Sequence, residues 1–177
     1  MIEHISVVIV TKNEERRIAK CLKPLSTTFS DIIVVDSESH DNTAKIAKGF
    51  GARVINFKWD GKHPKKYDWC LKNISPVNDW ILFVDADEIV TPQLITELRS
   101  LSPEGAGYFI KSRYIVNEKI LRFGLRNNKL CLLNRHKMKF PEVNDLDCPH
   151  IGEIEGHYQP VRRSYFPHEK IGKLKNY

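Results

Sequence analysis

The chain has 177 residues and a formal net charge of +6, with 41% hydrophobic and 28% charged residues. This composition is typical of a folded globular protein and excludes wholesale disorder. No apolar run reaches the roughly 18 residues that a membrane-spanning helix needs, and the first residues lack the basic and apolar runs of a signal peptide. We therefore expect a cytoplasmic protein with one domain, or one domain and a modest appendage.

The basic excess lies entirely in the second part of the chain. Residues 1–100 hold 14 Lys/Arg against 14 Asp/Glu, whereas residues 101–177 hold 14 against 8. Between Lys111 and Lys139 there are nine basic side chains, and Glu118 is the one acidic residue among them. This stretch predicts either a surface for an anionic partner or a solvated basic face. The four cysteines show no CxxC pair, so we expect reduced, structural thiols rather than a zinc site.

The first hundred residues alternate between short apolar runs and stretches with helical spacing of apolar residues. The pattern predicts strands at 5–10, 31–35, 53–57 and 80–84, and helices at 13–25, 41–50, 65–74 and 92–101. Buried strands joined by helical crossovers indicate an α/β fold with a Rossmann-like, mostly parallel sheet flanked by helices. Beyond residue 101 the pattern is weaker, and possible strands at 108–116 and 130–133 predict a mixed or antiparallel extension.

Polar residues follow three of the predicted strands, where parallel sheets bind their ligands. They are Thr11, Lys12, Asn13 and Glu14 after the first strand, Asp36, Ser37 and Glu38 after the second, and Asp85, Asp87 and Glu88 after the fourth. We expect these side chains to face one crevice.

Asp85 and Asp87 provide the most specific chemical signal in the sequence. Two carboxylates spaced i, i+2 where a buried strand enters a turn are hard oxygen ligands suited to Mg²⁺ or Mn²⁺. An ion held in this way keeps positions open for diphosphate oxygens and stabilises a departing nucleoside diphosphate. Asp36 is suited to accept hydrogen bonds from a nucleobase or a ribose; the alternative is that it caps the turn at Ser37 to Asp41.

Three motifs, in this order, resemble those of family 2 glycosyltransferases with the GT-A fold. They are ISVVIVTKNEE (5–15), IIVVDSESHDNT (32–43) and DWILFVDADEIVTPQL (79–94). A fainter likeness over residues 122–145 is to bacterial members that build the lipopolysaccharide core and similar cell-surface glycans. The resemblance implies a donor-binding subdomain at 1–101 and an acceptor-binding subdomain at 102–177 that is possibly cut short at its C-terminus.

The resemblance also implies a role for individual residues. Thr11, Asn13 and Glu14 would line the nucleotide of a nucleotide-sugar donor, and Asp36 would hold its base, commonly uracil. Asp85 would lie near the ribose and the ion, and Asp87 would be the direct metal ligand. Lys65, Lys66 and Tyr67 lie where relatives often carry a residue facing the donor. A lysine there, with Lys66 as the candidate, would neutralise the diphosphate, and an exposed helix start is the alternative.

The family inverts the anomeric carbon in one displacement, so a carboxylate base must deprotonate the acceptor hydroxyl. Asp145 occupies the corresponding place, with Glu142 and Asp147 as nearby rivals. A late histidine often contacts the metal or the diphosphate, and His168 is the candidate here. The acceptor is expected to be an anionic glycan or glycolipid, and the basic stretch would then favour peripheral attachment to the inner membrane face.

Other functions fit the sequence less well. A sugar nucleotidyltransferase should carry a glycine-rich phosphate loop after its first strand, and residues 11–15 contain no glycine. A nucleic-acid-binding module would explain the basic stretch, but no recognised signature accompanies the charge, so no nucleic acid is expected. A catalytically inactive GT-A-like scaffold stays open as an alternative.

Overall fold

The computed structural model describes residues 1–116, 119–121, 127–142 and 158–176. Its helices are α1 (Ile18–Ser26), α2 (Thr43–Gly49), α3 (Lys66–Asn73) and α4 (Pro92–Ser100). Its strands are β1 (Ser6–Thr11), β2 (Ile32–Asp36), β3 (Arg53–Asn56), β4 (Trp80–Asp85), β5 (Gly107–Ser112), β6 (Ile115–Val116), β7 (Lys119–Ile120), β8 (Asn127–Asn134), β9 (Met138–Lys139), β10 (Val161–Arg162) and β11 (Ile171–Lys173).

A seven-stranded sheet in the order β11-β5-β8-β4-β1-β2-β3 organises the described residues. β1 pairs in parallel with both β2 and β4, and β3 extends this parallel part beside β2. β8 runs antiparallel between β4 and β5, and β11 pairs in parallel with β5. The prediction of a mostly parallel sheet with a mixed extension is therefore confirmed.

The central strands form because their apolar residues are buried on both faces of the sheet. β2 is buried at every position, and β1 and β4 are buried at most of theirs. Helix α1 packs on the sheet through Ile18, Cys21, Leu22 and Leu25, which recur at helical spacing. Helix α4 begins as predicted, with Pro92 in its first turn and the Thr91 hydroxyl accepting a hydrogen bond from the Leu94 N–H at 3.3 Å.

Residues 102–177 contribute β5, β8 and β11 to the same sheet as the first hundred residues. The two parts thus share one sheet, and the division into donor and acceptor subdomains stays a prediction. The single strand expected over 108–116 is two strands, because the chain leaves the sheet after Ser112 and Ile115 pairs with Ile120 in a separate hairpin. No helix in the described ranges is both long enough and apolar enough to cross a membrane.

Asp31 ties together the amino ends of β1, β2 and β3. It is buried, and its carboxylate accepts hydrogen bonds from the Ser6 hydroxyl at 2.6 Å, the Val77 N–H at 2.8 Å and the Arg53 guanidinium at 2.8 Å. Burial alone would raise the pKa of Asp31, but these hydrogen bonds and the Arg53 charge outweigh it and lower that pKa. The ionised carboxylate therefore stabilises the folded state.

We expect Asp31→Asn to lower the free energy of unfolding by about 1–3 kcal/mol at pH 7, because buried donors lose a charged acceptor. Since the folded-state pKa lies below the ordinary value of 3.8, this contribution is fully present above about pH 4 and declines as the pH falls further. Urea unfolding at pH 7 and pH 3 measures both effects. Asp79→Asn, which removes an exposed pair with His136, is the control and should change stability by less than about 0.5 kcal/mol. An equal loss in the two variants would contradict this role for Asp31.

Candidate donor and metal site

The strand register brings three of the predicted site residues to one edge of the sheet. Thr11 lies opposite Asp36, and Val10 lies opposite Asp85, so Asp36 and Asp85 flank the end of β1. Strands are spaced about 4.8 Å apart, which separates the backbones of Asp36 and Asp85 by about 10 Å. Asp36 and Asp85 thus lie at one edge of the sheet, with the end of β1 between them.

Two loops at this edge are joined by hydrogen bonds from backbone to side chain. The Asn13 N–H donates to the Ser39 hydroxyl at 2.8 Å, and the Asn13 side-chain oxygen accepts from the His40 N–H at 2.9 Å. The Glu14 N–H donates to the Thr43 hydroxyl at 2.7 Å. Asn13 has φ 54° and Glu38 has φ 52°, a left-handed conformation that is uncommon without glycine. The loops after β1 and β2 therefore act as one preformed unit.

α1 begins at Ile18 and not at Asn13 as predicted, because Asn13 has a left-handed φ of 54° that a right-handed helix does not allow. The backbone N–H groups of Asn13, Glu14 and Glu15 donate to side chains of the 39–43 loop. Residues 13–17 are consequently used as a loop at the crevice and do not start the helix.

Asp36 has a clear structural partner in Ser39. Its carboxylate accepts hydrogen bonds from the Ser39 N–H at 3.0 Å and from the Ser39 hydroxyl at 2.5 Å. This geometry agrees with the turn-cap alternative. Each carboxylate oxygen has further acceptor capacity, so a contact with a nucleobase stays a prediction for the same residue.

Two buried hydroxyls at the same edge find no hydrogen-bond partner among the described residues. They are Thr11 Oγ1, at the end of β1, and Ser37 Oγ, directly after the end of the neighbouring strand β2. A buried hydroxyl without a partner is costly, and such groups are usually satisfied by water or a ligand. Ser37 is one of the polar residues that the sequence predicts at this edge of the sheet.

Asp85 is surrounded by groups from three other parts of the chain. Its carboxylate accepts a hydrogen bond from the Tyr67 hydroxyl and lies 2.5 Å from the Lys129 ammonium. Its backbone N–H donates to the Glu88 carboxylate at 3.0 Å, and the other oxygen of Glu88 lies 3.5 Å from Lys129. Asp85, Glu88, Tyr67 and Lys129 form what we call the Asp85 cluster.

The charges of the Asp85 cluster shift the pKa values of its own members and of two nearby thiols. Burial would lower the pKa of Lys129, but the Glu88 and Asp85 carboxylates outweigh burial and raise it, so the ammonium is charged at neutral pH. The pKa of Glu88 is raised by burial and by Asp85, which the attraction to Lys129 only partly offsets. Burial and the same carboxylates raise the pKa of the Cys21 and Cys131 thiols to about 12, so both thiols stay protonated.

Asp87 differs from Asp85 in its exposure. Its side chain is 58% exposed, and the Arg17 guanidinium approaches one oxygen at 4.0 Å. Among the described ranges, no three His, Cys, Asp or Glu side chains come together as a metal-ligand set. Mg²⁺ is commonly bound by one or two carboxylates, with waters and substrate phosphates completing the coordination shell. An exposed Asp87 at the crevice fits that partial type of site.

The other predicted residues lie in different places. Lys66 begins α3 and is half-buried beside Tyr67. Glu142 is exposed, with its carboxylate 3.8 Å from the Lys72 ammonium. Asp145 and Asp147 lie outside the described residues, so their assignment stays a prediction. Cys148 also lies outside them, and Cys21, Cys70 and Cys131 are buried free thiols.

His168 is not brought to the crevice. Ile171 lies level with Gly107, Leu133 and Ile81 across the sheet, so β11 starts at the level of the amino end of β4. Asp85 lies about 13 Å further along, at four residues of about 3.3 Å each. His168 precedes β11 and lines an open cavity of about 660 Å³ with Glu104 and Lys170 at the opposite edge. A metal-ligand role for His168 is therefore not retained.

Sequence analysis did not place Tyr67 and Lys129 beside Asp85. Lys129 was noted only as part of the basic stretch, and Tyr67 was grouped with Lys65 and Lys66 by resemblance, as residues facing the donor. The antiparallel pairing of Leu82 with Leu132 brings Lys129, three residues before Leu132, to the level of Asp85, three residues after Leu82. This long-range register, which apolar periodicity does not encode, was the missing signal.

Comparison with a solved structure gives the class of fold. Residues 1–349 of Staphylococcus aureus TarS superpose with a TM-score of 0.53 and 24% identity, covering 66% of this chain and 37% of that chain. The fold is the GT-A fold of glycosyltransferases.

Comparison of sequences gives the family. The model of glycosyl transferase family 2 matches residues 6–168. The chain belongs to glycosyl transferase family 2, and the resemblance found in the three motifs is confirmed.

Curated relatives match about half of the chain. An uncharacterized glycosyltransferase of Rickettsia typhi is 43% identical over 94 residues, which cover 53% of this chain and 31% of that protein. The 4,4'-diaponeurosporenoate glycosyltransferase of Staphylococcus haemolyticus is 40% identical over 91 residues, which cover 48% of this chain and 24% of that protein. The match thus spans about a third or less of each relative's length.

Proposed function

We propose that this chain binds a nucleoside-diphosphate sugar, with uridine as the favoured base, and transfers the sugar to an anionic glycan or glycolipid. The observation that carries the proposal is the convergence of Thr11, Asp36 and Asp85 at one sheet edge through the register of β1 with β2 and β4. Family membership supports the reaction type. An inactive scaffold and a sugar nucleotidyltransferase are the alternatives that the tests below address.

The nucleoside would lie between the two joined loops. The unpartnered Thr11 and Ser37 hydroxyls and the remaining acceptor capacity of Asp36 support a contact with the base or the ribose. Asn13 and Glu14 would act mainly through the loop that they hold in place. Lys66, at the start of α3 beside Tyr67, would face the diphosphate as a point charge.

Mg²⁺ or Mn²⁺ would be held by Asp87 at the mouth of the crevice, next to Asp85. When bound, such an ion offsets the negative charge that develops on the departing nucleoside diphosphate. The exposed carboxylate of Asp87 and its hard oxygen chemistry support this assignment.

Transfer would occur in one displacement with inversion at the anomeric carbon. The acceptor oxygen bonds to that carbon, the bond to the diphosphate oxygen breaks, and the acceptor proton passes to Asp145. The segment that carries Asp145 follows Phe140, whose ring packs against Tyr67 and Phe83 at centroid distances of 5.2 and 5.7 Å. Since Tyr67 contacts Asp85, this packing supports a base in the segment after Phe140.

The first test is calorimetric titration with UDP, GDP, ADP and dTDP, with and without Mn²⁺. We expect UDP to bind most tightly, and Mn²⁺ to raise its affinity by about tenfold or more because the ion joins Asp87 to the diphosphate. Asp87→Asn should remove the effect of Mn²⁺ and leave the weaker metal-free binding. A protein that binds none of the four nucleotides would contradict the proposal, and binding without any effect of Mn²⁺ would contradict the role of Asp87.

The second test concerns the base. Asp145→Asn should reduce kcat by about 10²–10⁴-fold, since a general base contributes a factor of that size, and should leave UDP affinity unchanged. Transfer is measured as UDP released from UDP-sugars in the presence of phosphorylated glycolipid acceptors. Glu142→Gln and Asp147→Asn are matched controls that should retain activity. If one of these controls loses activity and Asp145→Asn does not, the base is that residue.

The hairpin of β6 and β7 supports a membrane-bound acceptor. Tyr114, Ile115, Val116, Ile120 and Leu121 are 47–56% exposed in this hairpin, and Arg113 and Lys119 add positive charge. It follows the carboxyl end of β5, and Ile110 of β5 lies level with Lys129, so the hairpin is at the same sheet edge as the Asp85 cluster. Apolar side chains among basic ones suit the anionic inner face of a membrane.

Sedimentation with vesicles tests this attachment. We expect binding to phosphatidylglycerol vesicles at low salt, weaker binding at high salt and little binding to phosphatidylcholine vesicles. Ile115→Asp should reduce binding at least several-fold, whereas Tyr165→Asp, at a side chain that is 89% exposed elsewhere, should not. A protein that stays in the supernatant with both lipids, or that self-associates through the hairpin, would contradict membrane attachment.

A further inference from the structure

Lys129 differs from an ordinary basic surface residue, because its side chain is largely enclosed and paired with carboxylates. Its side chain is only 18% exposed, and its ammonium lies 2.5 Å from Asp85 Oδ2 and 3.5 Å from Glu88 Oε1. A buried ammonium needs compensating negative charge, and these two carboxylates provide it. The ion pair is built into the sheet, because Lys129 projects from β8 and Asp85 ends the neighbouring strand β4.

The second oxygen of Asp85 is also occupied by the chain itself. It accepts a hydrogen bond from the Tyr67 hydroxyl. The Tyr67 ring is fixed between Phe83 and Phe140, with centroid distances of 5.3 and 5.2 Å. Each carboxylate oxygen of Asp85 thus has a donor from a rigid element, whereas the Asp87 carboxylate is mostly exposed.

We propose that Lys129 is the internal counter-cation of Asp85, which leaves Asp87 as the carboxylate of this pair that receives a divalent ion and makes ion binding depend on the donor diphosphate. This inference rests on the proposed function and deepens it. Lys129 is a positioning residue here, since it acts through Asp85.

Two physical reasons make ion binding conditional. One exposed carboxylate with water as the other ligands holds a divalent ion weakly, and phosphate oxygens are the usual additional ligands. The Lys129 ammonium also repels a second cation that approaches Asp85. The diphosphate supplies oxygens and negative charge together, so the ion and the donor should bind as a pair.

The experiment measures Mn²⁺ binding directly, by the paramagnetic resonance signal of free Mn²⁺, with and without UDP. The wild-type protein should bind Mn²⁺ at least about tenfold more weakly alone than with UDP. Lys129→Met exposes Asp85 and removes the repelling charge, so it should tighten Mn²⁺ binding without UDP by about tenfold. Lys129→Arg keeps the charge and should resemble the wild type.

Lys137→Met is the matched control. Lys137 forms an ion pair with Glu169 at 2.8 Å and is 28% exposed, so this variant removes the same charge and also leaves a carboxylate without its lysine, but away from Asp85. It should leave Mn²⁺ binding unchanged. If Lys129→Met does not fold, as judged by circular dichroism, Lys129→Gln keeps a hydrogen-bond donor without the charge and should also tighten Mn²⁺ binding.

The outcomes separate this inference from the proposed function. Tight Mn²⁺ binding by the wild type without UDP, or no gain in both neutral variants at Lys129, overturns the role of Lys129 even if UDP binding depends on Mn²⁺. A similar gain in Lys137→Met would assign the effect to net charge and also overturn it. Failure of UDP to bind any variant would instead overturn the proposed function, and the measurements without UDP would still compare the variants.

Discussion

Parallel pairing of β1 with β2 and β4 is the constraint on which the rest of this site depends. It brings the last residues of three strands to one edge and so collects Thr11, Asp36 and Asp85 there. The strands pair in this way because their apolar residues must be buried on both faces. Burial of these apolar residues therefore forms the core and also determines where the site residues lie.

Carboxylates gathered at one edge of the sheet repel one another, and the chain compensates their charge in two ways. Asp36 is satisfied locally by Ser39, three residues further on. Asp85 is satisfied from a distance by Tyr67 and Lys129. Asp87 is left largely exposed beyond them, and in our account its charge is compensated by an ion that arrives with the diphosphate.

Local patterns in the sequence were sufficient to predict the elements of residues 1–101. Apolar runs indicated β1 to β4, and the Thr91-Pro92 pair indicated the start of α4. The start of α1 was predicted five residues too early, because Asn13 has a left-handed φ of 54° and its loop is held by side chains 26–29 residues away. Local propensity contains no information about such contacts.

Less of the site than of the fold could be predicted from the sequence. The crevice residues Thr11, Asn13, Glu14 and Asp36 and the acidic pair could be selected because each follows a recognisable strand. Lys129 could not, because its position opposite Asp85 comes from the antiparallel insertion of β8. His168 was assigned to the metal from family resemblance, but the parallel pairing of the three-residue strand β11 with β5 places it at the other edge. Asp145 stays a prediction.

The most direct measurement is the anomalous diffraction signal of Mn²⁺ in crystals grown with UDP. We predict one Mn²⁺ peak within coordination distance, about 2.0–2.2 Å, of an Asp87 oxygen and in contact with the diphosphate. We also expect the base between the loops at 11–15 and 37–43, with the Lys129 ion pair to Asp85 intact. A nucleotide bound at the opposite edge, near Glu104 and His168, or a Mn²⁺ ion without contact to Asp87, would contradict this prediction.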